Sequence, residues 1–371
     1  MNPGVGSGGW RALSALLAFI ALSTLPVPAS ADSTVERVPA HEARVGRARP
    51  VIAVVGENAG TELTDFVIPF GILSQSNSAE VFTVATHEGP LRMWPALRIQ
   101  PDLTIASFDT RFPEGADYVI VPAVMTDEKK PTLLVRWIKA QADRGAVIVS
   151  ICDGALTVAA AGVFEGRRAT GHWATLERRR REYPGTDWRE NVRYVADGRA
   201  ISSAGVSASI PLSLALVEAI AGPDRAHEVS REIGVHDWSS THDSGKFRLG
   251  LGSYSLAIGN WLLPSREIGL GIDQSVDEIS LALTADAFSR TYRSRAVTVA
   301  GTRGPVRTLH GLTVLPDRIK GEDKLPRQLR PGSGTGPSAT ALDRTLADIA
   351  GMYGRRTASF VALQMEYPRS R

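Results

Sequence analysis

One cysteine, Cys152, occurs in 371 residues. No intramolecular disulfide can form, so apolar side chains must hold the fold in whatever compartment it occupies. A surplus of one charge is missing too: 42 Lys and Arg face 39 Asp and Glu, a formal net charge of +3, which gives no electrostatic case for a nucleic-acid partner. Long apolar runs suited to targeting are confined to the N-terminus. Arg11 precedes Ala12 to Leu25, and Pro28-Ala29-Ser30-Ala31 follows with small residues at the cleavage positions, the pattern of a signal peptide cut after Ala31. The run falls short of the roughly 20 apolar residues of a membrane span, so a membrane enters only if the segment stays uncleaved as an anchor. Export to the periplasm or the medium is the expectation, with residues 1–31 removed.

Residues 32–49 are polar, lack apolar periodicity and read as a linker. From Val51 onward, apolar runs alternate with helical spacing. Val51-Ile52-Ala53-Val54-Val55 predicts a buried strand, and Thr61 to Leu73, apolar at Leu63, Phe66, Val67 and Phe70, predicts a helix. Strands are expected at Ala79 to Ala85 and Asp117 to Pro122, a helix at Pro131 to Ala142, and a further strand at Ala146 to Ile151. Such alternation implies a parallel sheet with helices on both faces, whose site lies at the carboxyl ends of the strands. Beyond it, Gly166 to Trp173 reads as a loop, Val192 to Ala204 as a hairpin around Asp197-Gly198, and Ile210 to Ala221 as an apolar helix. Leu176 to Tyr183 reads as a basic helix whose run Arg178-Arg179-Arg180-Arg181 is a solvated face with local ion pairs. These elements assign 50–235 to one domain. The Gly- and Ser-rich stretch 236–258 starts a linker or excursion reaching 265, and 320–340, rich in Pro and Gly, reads as a disordered loop.

A repeat organises the remainder. His87-Glu88-Gly89-Pro90-Leu91-Arg92 returns as Thr302-Arg303-Gly304-Pro305-Val306-Arg307, and Leu97, Pro101 and Asp102 return as Leu312, Pro316 and Asp317. The offset is 215 residues from Gly89 to Gly304 and from Asp102 to Asp317. Ile268 to Ala287 follows the pattern of Ile52 to Gly71 one residue out of step, and Leu342 to Gly351 matches Leu212 to Gly222 through a shared Ile-Ala-Gly ending. Residues 266–371 are therefore expected to form a shortened second α/β unit that lacks the strand Ala146 to Ile151, the cysteine and the helix that follows it. Such a unit is structural, or a pseudosubunit packed on the first.

Cys152 stands where the run Ala146 to Ile151 breaks into Asp153-Gly154 and a helix-compatible stretch. A thiol on a sharp turn at a helix N-terminus has backbone N–H groups and the helix dipole to stabilise a thiolate, the geometry of a nucleophile elbow. The competing reading is a small buried hydrophobe. The pairs His236-Asp237 and His242-Asp243 have metal-ligand residue types but no spacing signature, so no metal and no cofactor is expected.

The motif Val149-Ser150-Ile151-Cys152-Asp153-Gly154-Ala155, the loop Gly162 through Arg168-Ala169-Thr170-Gly171-His172-Trp173 and the segment Ser202-Ser203-Ala204-Gly205-Val206-Ser207-Ala208 together resemble the ThiJ/PfpI family of the class I glutamine amidotransferase-like superfamily. They are similar in style to the amidotransferase-like domains of AraC-type regulators, here without a helix-turn-helix. The resemblance implies a flavodoxin-like sandwich with Cys152 as nucleophile, Asp65 as the acid contacting the thiol, since Asp65-Phe66-Val67-Ile68-Pro69 matches the family's acid-to-proline spacing, and His172 as acid or base. A carboxyl beside a thiolate must be protonated to donate to it. Asp153, Ala123 and Val124 would line the substrate position. Three departures stand out: Pro122-Ala123-Val124 replaces the Gly-Gly expected of an oxyanion hole, Asp153 puts a negative charge beside the thiol, and Pro211 occupies a position where relatives carry an acid. The implied function is a cysteine site for a small carbonyl-type electrophile, in hydrolase, glyoxalase-like or hydratase chemistry; the alternative is a non-catalytic ligand-sensing or redox-sensing module. A small molecule is the implied partner, and the repeat offers an intrachain pseudodimer in place of, or beside, a homodimer.

Overall fold

Strand β1 (Val51–Gly56) is buried at every position and shows why its sequence is continuously apolar. Ile52 and Val54 point into one core cluster and Val51, Ala53 and Val55 into another on the opposite face, the period-two alternation of a strand covered on both sides. The computed structural model describes residues 36–44, 46–125, 132–243, 247, 251–322, 327–329 and 336–367; the expected signal peptide lies outside them. All of these residues belong to the compact unit Val35–Arg371.

After β1 come helix α1 (Leu63–Gln75), β2 (Glu80–Ala85), β3 (Leu103–Thr104), β4 (Tyr118–Val121), α2 (Leu133–Asp143), β5 (Val147–Ser150), α3 (Gly154–Ala160), β6 (Tyr194–Asp197), β7 (Ala200–Ser203), α4 (Ser209–Ala221) and α5 (Pro223–Ile233). The strands form one seven-stranded sheet in the order β6-β7-β5-β4-β1-β2-β3. Its pairings are parallel except for β6 against β7, so it is the mostly parallel, flavodoxin-like sandwich expected. Helix α1 begins two residues after the predicted start because Thr61–Glu62 extends alongside Met93–Trp94, and Glu62 then caps the helix by accepting from Asp65 N.

The second half builds β8 (Arg266–Gly271), α6 (Glu278–Ser289), β9 (Ser294–Ala300), β10 (Arg318–Ile319), β11 (Gln328–Leu329), α7 (Ala341–Tyr353) and α8 (Arg355–Gln364). Its four strands form a parallel sheet in the order β10-β9-β8-β11. Part of the stretch expected to be a disordered loop is thus the edge strand β11, because backbone pairing to Gly269 and Leu270 needs little from side chains. The Gly- and Ser-rich excursion likewise contains a helix, Leu251–Trp261.

The two sheets share a core. Cluster members include Ile52, Phe66 and Cys152 from the first and Ile268, Leu281 and Phe288 from the second. Helices α1 and α6 pack on each other, and both are buried along almost their whole length. Gly71 permits the approach: a Cβ there would stand 2.8 Å from Ile279 Cγ1. A short ribbon also crosses between the halves, with Ile99 paired to Val314, Gln100 N donating to Thr313 O and Leu315 N to Arg98 O at 2.9 Å each.

Candidate active site

The elbow is a product of local backbone demands. Ser150 pairs with Val121 on one side and Ser202 on the other, so Cys152 emerges past the carboxyl end of β5, between two strands. It adopts φ 57°, a left-handed conformation that costs a residue with a Cβ about 1–3 kcal/mol and persists only where the surroundings enforce it. Gly154 is one such enforcer. A Cβ at this position would collide with the Val121 carbonyl oxygen and lie 2.9 Å from the Pro122 carbonyl carbon. Both the pattern and the strain are those of a nucleophile elbow.

Beside the thiol stands a carboxyl pair from the start of α1. Asp65 is fully buried, not the surface position that a helix residue of its type would ordinarily hold. Its Oδ2 accepts from Ala123 N at 3.2 Å, and its own backbone N–H donates to Glu62 Oε2 at 2.6 Å. Asp65 Oδ1 finds no N–H or O–H donor among the described residues. Two buried carboxyls this close in the fold disfavour each other's ionisation. Burial pushes the Asp65 carboxyl up from 3.8 to about 7, against the Ala123 N–H and the Arg290 guanidinium, which favour the anion. Burial, then Asp65 and Asp286, push Glu62 up as well.

The thiol responds to the same surroundings. Cys152 is 7% exposed, and burial followed by the charges of Asp65, Asp153 and Glu62 raises it well above its ordinary value of 9.0, opposed by the Asp153 N–H. The expectation that a helix N-terminus would stabilise a thiolate is outweighed: α3 has only seven residues, while acidic groups crowd the sulfur.

The other expected site residues are placed less centrally. The His172 ring accepts from Ala174 N through Nδ1 at 3.4 Å and packs on Trp173 with centroids 5.3 Å apart, so these ring contacts lie within its own loop. Its carbonyl instead accepts from Arg179 Nη1 at 2.6 Å. Asp153 Oδ1 accepts from Thr175 Oγ1 at 2.5 Å and lies 3.9 Å from Arg179 Nη1. Ala123 N is committed to Asp65, its carbonyl accepts from Glu62 N at 2.8 Å, and Val124 bridges to Thr61. The 123–124 backbone therefore braces the acid pair.

Two readings need correction. Arg179 does not share a solvated face with its neighbours. It is 1% exposed, lies 5.0 Å over the Trp188 ring and ties the His172 loop to Thr175. The run of arginines hides it, since one helical residue in about four faces inward whatever its charge. The helix compared with Leu212 to Gly222 does not end at Gly351 but continues to Tyr353, with Gly354 beyond it. Among the described residues no group of three or more His, Cys, Asp or Glu could hold a metal. Asp237 accepts from Ser239 N at 2.8 Å, and His242 Nε2 faces Glu366 Oε1 at 2.9 Å.

Three residues of the second half reach this region without any local sequence signal. Arg290 donates to Glu62 Oε1 through Nη2 and to Asp286 Oδ1 through Nε, both at 2.6 Å. Glu366 Oε2 accepts from Gly205 N at 2.5 Å.

A parallel α/β sheet carrying a strained cysteine elbow and a buried carboxyl beside it defines a protein of the elbow-cysteine α/β class. Residues 51–219 match the model of the DJ-1/PfpI family, so the chain carries a domain of that family. It is 35% identical over 100 residues to the HTH-type transcriptional regulator CdhR of Pseudomonas aeruginosa, covering 27% of this chain and only 30% of the regulator. It is 27% identical over 177 residues to the isonitrile hydratase of Pseudomonas putida, covering 46% of this chain and 72% of that one. Among solved structures, Drosophila melanogaster DJ-1beta matches with 20% identity and a TM-score of 0.46, over 51% of this chain and all of that chain.

Proposed function

We propose that Cys152 and Asp65 form a site that adds a thiol to a small neutral electrophile, a carbonyl-type or isonitrile carbon. The observation that carries this reading is a fully buried carboxyl, Asp65, at the site of a strained elbow cysteine, its burial pushing it up to about 7. A thiol held protonated is a poor nucleophile by itself, so it needs a base at hand, and a base poised near neutral pH is the most effective one. In the proposed step the sulfur lone pair forms the S–C bond while the thiol proton passes to the Asp65 carboxylate. Asp65 then returns that proton to the atom that has gained the electron pair. No electron acceptor is required. The similarity to an isonitrile hydratase makes isonitriles the first substrates to try, followed by dicarbonyls.

The test is turnover of small isonitriles and dicarbonyls by the purified protein, with Cys152→Ser and Asp65→Asn as controls. Loss of turnover in both variants is expected, and turnover that survives Cys152→Ser would sink the proposal. The second reading, a ligand-sensing or redox-sensing module, is favoured by Ala123 N being engaged by Asp65, which removes a donor from any oxyanion hole. Ligand-induced stabilisation without turnover would select it.

Residues 266–371 are proposed to be a shortened copy of the first unit. Asp102 Oδ2 accepts from Thr83 N and Oγ1 as Asp317 Oδ2 does from Thr298 N and Oγ1. Glu62 and Asp277 both cap their helices by accepting from the N–H three residues on. The Gly222 and Gly354 hinges, at φ 85° and 89°, support the same correspondence for the final helices. Export is likewise proposed, on the Arg11 to Ala31 pattern; N-terminal sequencing of the protein recovered from fractionated cells tests it, with an intact Met1 in the cytoplasmic fraction as the contrary result.

A further inference from the structure

We propose that Arg290, supplied by the second α/β unit, is a positioning residue of the Cys152 site and acts on the thiol through the Glu62–Asp65 carboxyl pair. This rests on the reading of Cys152 and Asp65 given above.

The guanidinium is held on three sides. Nη2 donates to Glu62 Oε1 and Nε to Asp286 Oδ1, both at 2.6 Å, and its face lies 4.6 Å over the Trp94 ring. Trp94 itself stands in the strand that pairs with Glu62. The Arg290 backbone is pinned as well, since Gln364 Nε2 donates to its carbonyl at 3.1 Å. Thr64 Oγ1 completes the arrangement between the two halves, 3.0 Å from both Glu62 oxygens and 3.1 Å from Asp286 Oδ2. A planar fork bonded to two carboxylates at once is a job for arginine, because an ammonium is a single point charge on a flexible stem.

Glu62, Asp65 and Asp286 are all buried, and Arg290 is the cation bonded among them. It pairs outright with Asp286 and Glu62, which leaves the Asp65 carboxyl with one backbone N–H. The groups that face the cluster are Cys152 and Asp153 from the elbow, and beyond them Arg179, which feels both. Arg290 favours the ionised form of Glu62 and of Asp65 alike. Without it the pair would hold its last proton to higher pH, and Asp65 would be unavailable to take the proton of the thiol. A cation placed by residue 290 thus sets when a base at residue 65 is free, so the first unit's site is incomplete without the second.

The experiment is iodoacetamide alkylation of Cys152 in the full chain as a function of pH, a readout that needs no substrate. For wild type an inflection near neutral pH is expected, where Asp65 becomes able to accept the thiol proton. In Arg290→Met the inflection should move up by at least about one pH unit, read as roughly tenfold slower alkylation on the acid side. In an Asp65→Asn background the same Arg290 substitution should move the profile by less than half as much. A folded Arg290→Met whose profile superimposes on wild type overturns the proposal, and so does a shift that is undiminished in Asp65→Asn. Should Arg290→Met fail to fold, Arg290→Lys carries the test: a smaller upward shift is expected, and an unchanged profile overturns the proposal. Absence of turnover on any electrophile, with the alkylation shifts intact, would count against the proposed addition chemistry and leave the role of Arg290 standing.

Discussion

Replacing Asp65 with Asn should make the protein more stable in mild alkali while abolishing its chemistry. The carboxyl is fully buried and is pushed from 3.8 up to about 7, whereas in the unfolded chain it ionises at its ordinary value. The folded state therefore binds this proton more tightly. The resulting stability is whole below about pH 4, drains away as the pH climbs toward 7, and falls no further above that. A gap of about 3 pH units at 1.36 kcal/mol each corresponds to about 4 kcal/mol lost by pH 8. Asn keeps the shape of the protonated acid: its carbonyl can accept from Ala123 N and its amide can donate to Glu62, without the charge. Urea unfolding of wild type and Asp65→Asn from pH 4 to 8 measures the difference directly, and every other titrating group largely cancels. The two stabilities should be nearly equal at pH 4 and should separate toward about 4 kcal/mol in favour of the variant at pH 8. Parallel curves would refute both the raised carboxyl and the role as base built on it.

Gly154→Ala should cost upwards of about 3 kcal/mol, since its methyl would meet backbone atoms of Val121 and Pro122 that cannot rotate away; a denaturation midpoint near wild type would show that the elbow relaxes. Asp153→Asn removes a charge that opposes the thiolate and should speed alkylation of Cys152 at pH 7.5 severalfold, with no change arguing against that charge as a cause. Arg179→Met strands the His172 carbonyl and Thr175 Oγ1 and should destabilise by about 2–4 kcal/mol. Arg179→Lys should not restore that loss in calorimetry, because an ammonium does not reproduce the planar contact over Trp188.

Much of the architecture was legible because it rests on local physics. A short, β-branched apolar run such as Val51 to Val55 favours a strand covered on both faces, and Asp153-Gly154 after Cys152 favours a turn into a helix. The resemblance to the ThiJ/PfpI family brought Asp65 and Cys152 into one hypothesis, and in the structure the Asp65 charge is one of those that raise the thiol. Where reasoning from neighbours along the chain misled, tertiary packing had overridden composition: Arg179 is buried despite its charge, and a Pro- and Gly-rich stretch supplies strand β11.

What determines the chemistry of the lone cysteine lay beyond such reasoning. The sequence by itself excluded an intramolecular disulfide and placed Cys152 at a strand-to-helix break, since both follow from residue types and their order, while the acid at position 65 came from the family resemblance. Only the tertiary structure decided how the acid behaves. Its burial depends on two helices, α1 and α6, meeting across Gly71, and its cation arrives from Arg290, 228 residues from the Glu62 it binds. Electrostatics acts through space and local dielectric, and neither is written in the spacing of residues along a chain.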